Sequence, residues 1–211
     1  GGPEFKHNPS ASLFVNLNSI DRVEEVYKKL SEEGNVLMEL NEYDFSKRYA
    51  WINDRFGVSW QLSYSEGEES ITPSLLFTQE QNGRVQEAIE LYTNTFPNSK
   101  VNTISKYQDG EADTAGNIKY SNITLEGEDL ILMESGLEHN FNFSEAFSFI
   151  INTDGQEETD KYWNKLIADG GEESVCGWLK DKFGVSWQVT PVQLNELMSK
   201  GTKEQSNRVM Q

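Results

Sequence analysis

Metal sites of the imidazole type need several convergent ligands, and this chain holds two histidines, His7 and His139. His7 stands before Asn8-Pro9 and His139 before Asn140, polar junctions where exposed or capping roles are expected. Neither is assigned to a metal. A repeated polar pair says more: Ser59 with Gln61, and again Ser186 with Gln188. On a strand, Ser186 and Gln188 share one face while Val185, Trp187 and Val189 share the other. A glutamine amide can fix an oxygen- or nitrogen-bearing ligand through hydrogen bonds, or it can satisfy buried backbone groups instead. Asp54 and Asp181 each stand two residues before a Phe-Gly pair, where turn closure through a side-chain hydrogen bond is expected. No residue is assigned as catalytic. Glu134 ends an apolar run, and a cavity position and a surface position both remain open for it. Cys176 is expected to be a buried, inert thiol. Trp51, Trp60, Trp178 and Trp187 are expected in the core, although indoles lining a small pocket would suit an aromatic or cationic guest.

The elements that position these residues are announced by a repeat. Trp51-Ile-Asn-Asp-Arg-Phe-Gly-Val-Ser-Trp-Gln61 returns as Trp178-Leu-Lys-Asp-Lys-Phe-Gly-Val-Ser-Trp-Gln188, identical at eight of eleven positions. The copies lie 127 residues apart, too far for a solenoid and suited to a duplicated domain. The likeness extends upstream, where Ser12-Leu-Phe-Val-Asn16 matches Ser148-Phe-Ile-Ile-Asn152. A helix stripe follows each: Ile20, Val23, Val26, Tyr27 and Leu30 in one copy, and Thr159, Tyr162, Trp163, Leu166 and Ile167 in the other. Asp154 with Glu157 reads as a capping box for the second. Left-handed C-caps are expected at Gly34 and Gly170.

A third unit of the same order lies between the copies. Ile71–Phe77 reads as a strand, and Val85, Ala88, Ile89, Tyr92 and Phe96 as a helix stripe stopped by Pro97. Three strands follow at Val101–Tyr107, Lys119–Leu125 and Asp129–Glu134, the last two joined by a tight turn at Glu126-Gly-Glu128. The fold class is therefore α+β: three tandem βαβββ modules forming curved mixed sheets, with helices at about 19–33, 84–96 and 155–169. Residues 64–70 read as a linker. After Pro191 a short helix through Met198 and a polar tail to residue 211 are expected.

Eighteen basic against thirty-five acidic residues give a formal charge of −17. That field repels nucleic acid. No apolar run is long enough to span a membrane. A single cysteine cannot form an internal disulfide, which fits a cytoplasmic protein.

The closing phrases Cys176–Val189 and Phe45–Gln61, with Glu87-Ala-Ile-Glu-Leu-Tyr92 and Phe96-Pro97, resemble the PhnB-like branch of the vicinal oxygen chelate superfamily, the glyoxalase and bleomycin-resistance fold. Proteins of that branch are often called demethylubiquinone methyltransferase-like. The resemblance covers nearly the whole chain to about Pro191. It implies that a complete domain needs two modules, so residues 71–190 are expected to form one, and residues 1–63 to be a lone second-type module whose first half is absent. It also implies that Ser59, Gln61, Ser186 and Gln188 face a cavity, with the last two in a cleft between residues 71–137 and 144–190. Metalloenzymes of the superfamily commonly place a ligand Glu where this chain has Gln61 and Gln188. The expected function is therefore small-molecule binding without a cofactor. A divalent-metal-dependent lyase, isomerase or dioxygenase is the alternative. Methyl transfer from S-adenosylmethionine is not expected, because the chain lacks the G-x-G-x-x-G of the doubly wound fold. An unpaired module at 1–63 would expose an apolar sheet, so a homodimer that covers it is expected.

Overall fold

The computed structural model describes residues 5–193. They form two compact units that divide between Ala146 and Phe147. The first contains β1 (Ala11–Leu17), α1 (Ile20–Ser31), β2 (Asn35–Tyr43), β3 (Ser46–Asn53) and β4 (Ser59–Tyr64), then β5 (Ser70–Phe77), α2 (Val85–Thr95), β6 (Ser99–Lys106), β7 (Ile118–Leu125) and β8 (Glu128–Glu134). The second contains β9 (Ser148–Thr153), α3 (Gln156–Leu166), β10 (Glu172–Glu173), β11 (Trp178–Lys180) and β12 (Ser186–Pro191). The three βαβββ modules and their helices lie where the periodicity places them, with α3 ending at Leu166 instead of near 169.

The sheets divide the chain differently from the expected 1–63 and 71–190. One eight-stranded sheet runs β2-β3-β4-β1-β5-β8-β7-β6, and a four-stranded sheet runs β10-β11-β12-β9. The first module is thus joined to the middle one, through antiparallel pairing of β1 with β5 (Ser12 opposite Ser74, Phe14 opposite Thr72). The reason is geometric. Strand β4 runs parallel to β1, whereas β5 runs antiparallel to it. The end of β4 and the start of β5 therefore lie at the same end of the sheet, two strand spacings or roughly 10 Å apart. The five residues between Tyr64 and Ser70 span that gap, and a short closure costs little entropy. The module at 1–63 therefore has its opening edge covered within the chain. Strand β9 ends the four-stranded sheet.

Helix α1 buries Val23 against Val15, Leu17, Ile52 and Leu62, with Val26, Tyr27 and Leu30 packed around them. Each fully buried member, such as Val23, Ile52 and Leu62, contributes roughly 1.5–3 kcal/mol by leaving water. Ile20, expected on that stripe, is 40% exposed in the first turn. In α2 the whole expected stripe, Val85, Ala88, Ile89, Tyr92 and Phe96, is buried. Thus the odd-numbered residues of β1 face a helix, and the even ones face away from it.

Two local expectations are corrected, at Gly34 and at Glu157, while the left-handed residue expected at Gly170 is present. The left-handed residue after α1 is Glu33, not Gly34; a Cβ at Gly34 would stand 2.4 Å from the Asn53 carbonyl oxygen, so close strand approach is what requires glycine there. After α3, Asp169 and Gly170 are both left-handed. Helix α3 is preceded by Gly155, and Glu158 rather than Glu157 accepts from the Asp154 N–H, at 2.5 Å. The helix expected from Pro191 to Met198, and the tail beyond it, fall almost wholly outside the described residues.

Candidate functional site

The face of the large sheet turned away from α1 and α2 carries Ser12 and Phe14 from β1, Ser59, Gln61 and Ser63 from β4, Tyr49 and Trp51 from β3, and Thr72 and Ser74 from β5, by register and strand alternation. Tyr120 of β7 shares it, since Asn122, Ile131 and Ser74 are register partners across β7, β8 and β5. The face is concave. Strands β1 and β7 are three strand spacings apart, roughly 14 Å, yet the Phe14 and Tyr120 rings meet at 6.5 Å between centroids.

A polar relay crosses this cup. The Tyr49 hydroxyl donates to Gln61 Oε1 at 2.6 Å, and Gln61 Nε2 donates to Ser12 Oγ at 2.8 Å. Burial pushes the Tyr49 phenol well above its ordinary range, so it stays a neutral donor. Trp51 Nε1 donates to Ser59 Oγ at 2.8 Å. Opposite Ser12, the Ser74 hydroxyl is buried with no hydrogen-bond partner. Buried polar atoms are seldom left so. At the rim Phe45, 62% exposed, meets Tyr49 edge-on at 4.9 Å and stacks on Tyr43 at 5.6 Å. An open cleft of about 680 Å³ is lined by residues 42–47 there.

Glu134 is buried, but on the other face. It is the register partner of Phe77, and its carboxylate accepts from the N–H groups of Gly83 (2.6 Å), Val85 (3.4 Å) and Ile118. Arg84, at the N-cap of α2, makes no side-chain cap. A carboxylate from β8 thus satisfies N–H groups just before and at the first residue of α2, donors without an intrahelical partner. Burial raises its pKa and outweighs the lowering by the three N–H donors, with Asp113 adding a smaller push upward. No sequence signal distinguishes this role from a cavity carboxylate, because the partner helix lies about fifty residues away in the chain.

Asp54 and Asp181 do close the repeated turn. Asp54 Oδ1 accepts from Phe56 and Val58, and Oδ2 from Trp60 Nε1 at 3.0 Å. Asp181 repeats this with Phe183, Val185 and Trp187. Gly57 and Gly184 carry the positive φ of that turn, 84° and 89°. His7 is exposed, and the His139 ring meets Ser135 Oγ at 2.9 Å and packs on Phe141. Cys176 is exposed, a correction of the buried thiol expected. Its counterpart Tyr49 lies within a long β3, whereas β11 begins only at Trp178 and leaves Cys176 in a turn at φ 57°.

The duplicate pair sits differently. Gln188 is half-buried, and its amide makes a single long contact of 3.5 Å with the Cys176 carbonyl. Ser186 is buried with no partner, although its equivalent Ser59 accepts from a tryptophan.

The model of the 3-demethylubiquinone-9 3-methyltransferase family matches residues 1–63 and 69–190. The chain belongs to that family. Membership places it in the PhnB-like branch of the vicinal oxygen chelate superfamily. The PhnB protein from Bacillus cereus is 30% identical over 56% of this chain and 96% of its own, with a TM-score of 0.50. Glyoxalase I from Zea mays, 14% identical, covers 92% of this chain and 70% of its own at a TM-score of 0.55. A mutant of that enzyme, 13% identical, covers 89% and 70% at 0.59. The last two share the fold. Among curated proteins none matches the chain. In this member of the family the cup does not fit a divalent cation. It offers hydroxyls, a phenol and an amide whose two ends are already spent on Tyr49 and Ser12. Among the described residues no group of three or more His, Cys, Asp or Glu stands close enough to hold a metal.

Proposed function

We propose that the first unit binds a small, partly apolar molecule in its cup, with Ser12, Ser59 and Ser74 reading a polar atom, Gln61 orienting Ser12, and Phe14, Tyr49 and Tyr120 holding its apolar part. The observation that carries this reading is the buried, unpartnered Ser74 hydroxyl beside a hydroxyl already oriented by Gln61. Ser12 receives the amide hydrogen, so its own O–H is free to donate, and Ser74 can donate or accept. A guest carbonyl or hydroxyl oxygen matches that pair. Ser186 and Gln188 would form the equivalent face of the third module, and Glu134 has a structural part only. The reading needs no cofactor and includes a cytoplasmic setting and self-association. No helix among the described residues is long and apolar enough to cross a membrane. Methyl transfer is not part of it: both helices of the first unit lie on one face of the sheet, unlike a doubly wound dinucleotide fold.

Native mass spectrometry of the purified chain tests the binding directly. A non-covalent small-molecule adduct is expected on the wild type and lost in Gln61→Leu, which breaks the relay at both ends. The same variant without change in adduct, at unchanged folding, would remove Gln61 from the site. Metal analysis supplies the other arm. Stoichiometric zinc, nickel, manganese or iron would overturn the cofactor-free reading.

A further inference from the structure

The middle module holds a second polar cluster on the face of the cup. Strand β8 pairs antiparallel with β7, Asp129 opposite Thr124 and Ile131 opposite Asn122, and parallel with β5, Ile131 beside Ser74. Asp129, Ile131, Asn122 and Thr124 therefore share the face that carries Ser12 and the unpartnered Ser74. Asn102 reaches the same cluster from β6. Its amide nitrogen donates to Asn122 Oδ1 at 2.5 Å, Thr124 Oγ1 at 2.8 Å and Asp129 Oδ1 at 3.4 Å. The Thr124 hydroxyl donates to the same Asp129 oxygen at 2.6 Å.

The balance of donors and acceptors shows what the cluster lacks. The hydrogens of the Asn102 amide and of the Thr124 hydroxyl are spent within it. Asp129 Oδ2 and Asn102 Oδ1 accept nothing among the described residues, and Asn122 Nδ2 remains as a neutral donor. The Tyr120 ring stands close by: burial first, and the Asp129 charge second, raise the pKa of its phenol. Lys100, opposite Thr124 on the open edge strand, makes no ion pair among the described residues. An ammonium group carries three donors and no acceptor, so it suits two open oxygens, one of them anionic. It also gains from the face of an aromatic ring.

The register fixes how far this cluster lies from the hydroxyl pair. Ser74 and Ile131 are neighbours across one strand spacing, and Asp129 is two residues along from Ile131, which sets the Ser74 and Asp129 Cα atoms roughly 8 Å apart. Ile131, 1% exposed, gives the stretch between them an apolar floor, and Phe14 and Tyr120 supply aromatic walls. From these observations we infer that the guest of the cup is a small amphiphilic amine. Its protonated nitrogen pairs with Asp129 and Asn102, while its oxygen meets Ser12 and Ser74. A chain of net charge −17 draws such a cation toward itself and repels an anion of the same shape. The inference rests on the cup reading and adds to it the charge and the length of the guest.

Isothermal titration calorimetry of the full chain tests it with tyramine, a phenol carrying an aminoethyl arm. Tyramine should bind about tenfold tighter than para-ethylphenol, which keeps the frame and lacks the nitrogen, because a hydrogen-bonded charge adds more than a neutral contact. Phloretate, with a carboxylate at the end of the same frame, should bind no better than para-ethylphenol. Asp129→Asn, at an exposed position, should abolish the advantage of tyramine and leave para-ethylphenol unchanged. Glu128→Gln makes the same charge change on the opposite face of β8 and should leave the advantage intact. Ser74→Ala should weaken both phenols alike. Equal binding of the two phenols, or an advantage that survives Asp129→Asn, would overturn the inference and leave the cup reading standing. A preference for phloretate would overturn it as well, marking an anion site at Lys100. If neither phenol binds, the inference falls, and the adduct expected on the wild type judges the cup reading separately.

Discussion

Glu134→Leu is expected to destabilise the first unit by roughly 4 kcal/mol, because it strands buried donors worth about 1–3 kcal/mol each when left unpaired. The carboxylate serves Gly83, Val85 and Ile118 together, and so ties the last strand of the middle module both to the start of α2 and to β7. Glu134→Gln, which keeps one acceptor oxygen, should cost less. Hydrogen exchange reads the effect locally: the Ile118 amide should lose protection in Glu134→Leu before the amides of β12 change. Uniform loss across both units would contradict the local assignment. A pH series adds a second test. Because burial raises the folded pKa of this group above 4.5, its protonated form is favoured by folding. That contribution is fully present below the unfolded value and is lost as pH rises through the higher folded value. The wild type should therefore show a downward slope of first-unit stability in the window just above 4.5, and Glu134→Gln should lack it.

The modules were legible in the sequence because they rest on local periodicity. The α2 stripe is buried as its 3-4 spacing requires, and Ser59 and Gln61 alternate onto one face as strands must. How the modules pair was not legible. The near-identity of 51–61 and 178–188 marks both as modules of one type, but it does not say which of them takes the edge of β5. That choice depends on the direction of β4 and the length of the connector after it, a matter of three-dimensional reach. The same limit hid Glu134 and Ser74. Their meaning depends on what lies opposite: a helix start for one and a bare hydroxyl pair for the other. Cys176 was misread because sequence equivalence with Tyr49 does not carry equal strand length with it.

The duplicated aspartate offers a controlled comparison inside one chain, and Asp181→Ala is expected to cost about 3 kcal/mol against roughly 1 kcal/mol for Asp54→Ala. Three bonds recur in both turns, two backbone N–H groups on Oδ1 and a tryptophan Nε1 on Oδ2. The surroundings differ. Phe183 beside Asp181 is 1% exposed, while Phe56 beside Asp54 is 71% exposed. In the exposed turn, water replaces the lost acceptor and the donors stay solvated. In the buried one no solvent reaches them, and the unpaired donors carry the full desolvation penalty. Asp→Asn at the same two sites keeps an acceptor for the backbone groups, so the difference between the sites should shrink. The indole N–H resonances of Trp187 and Trp60 report each turn separately by NMR, and denaturant unfolding gives the cost. Equal costs at the two positions would show that burial does not set the strength of this turn.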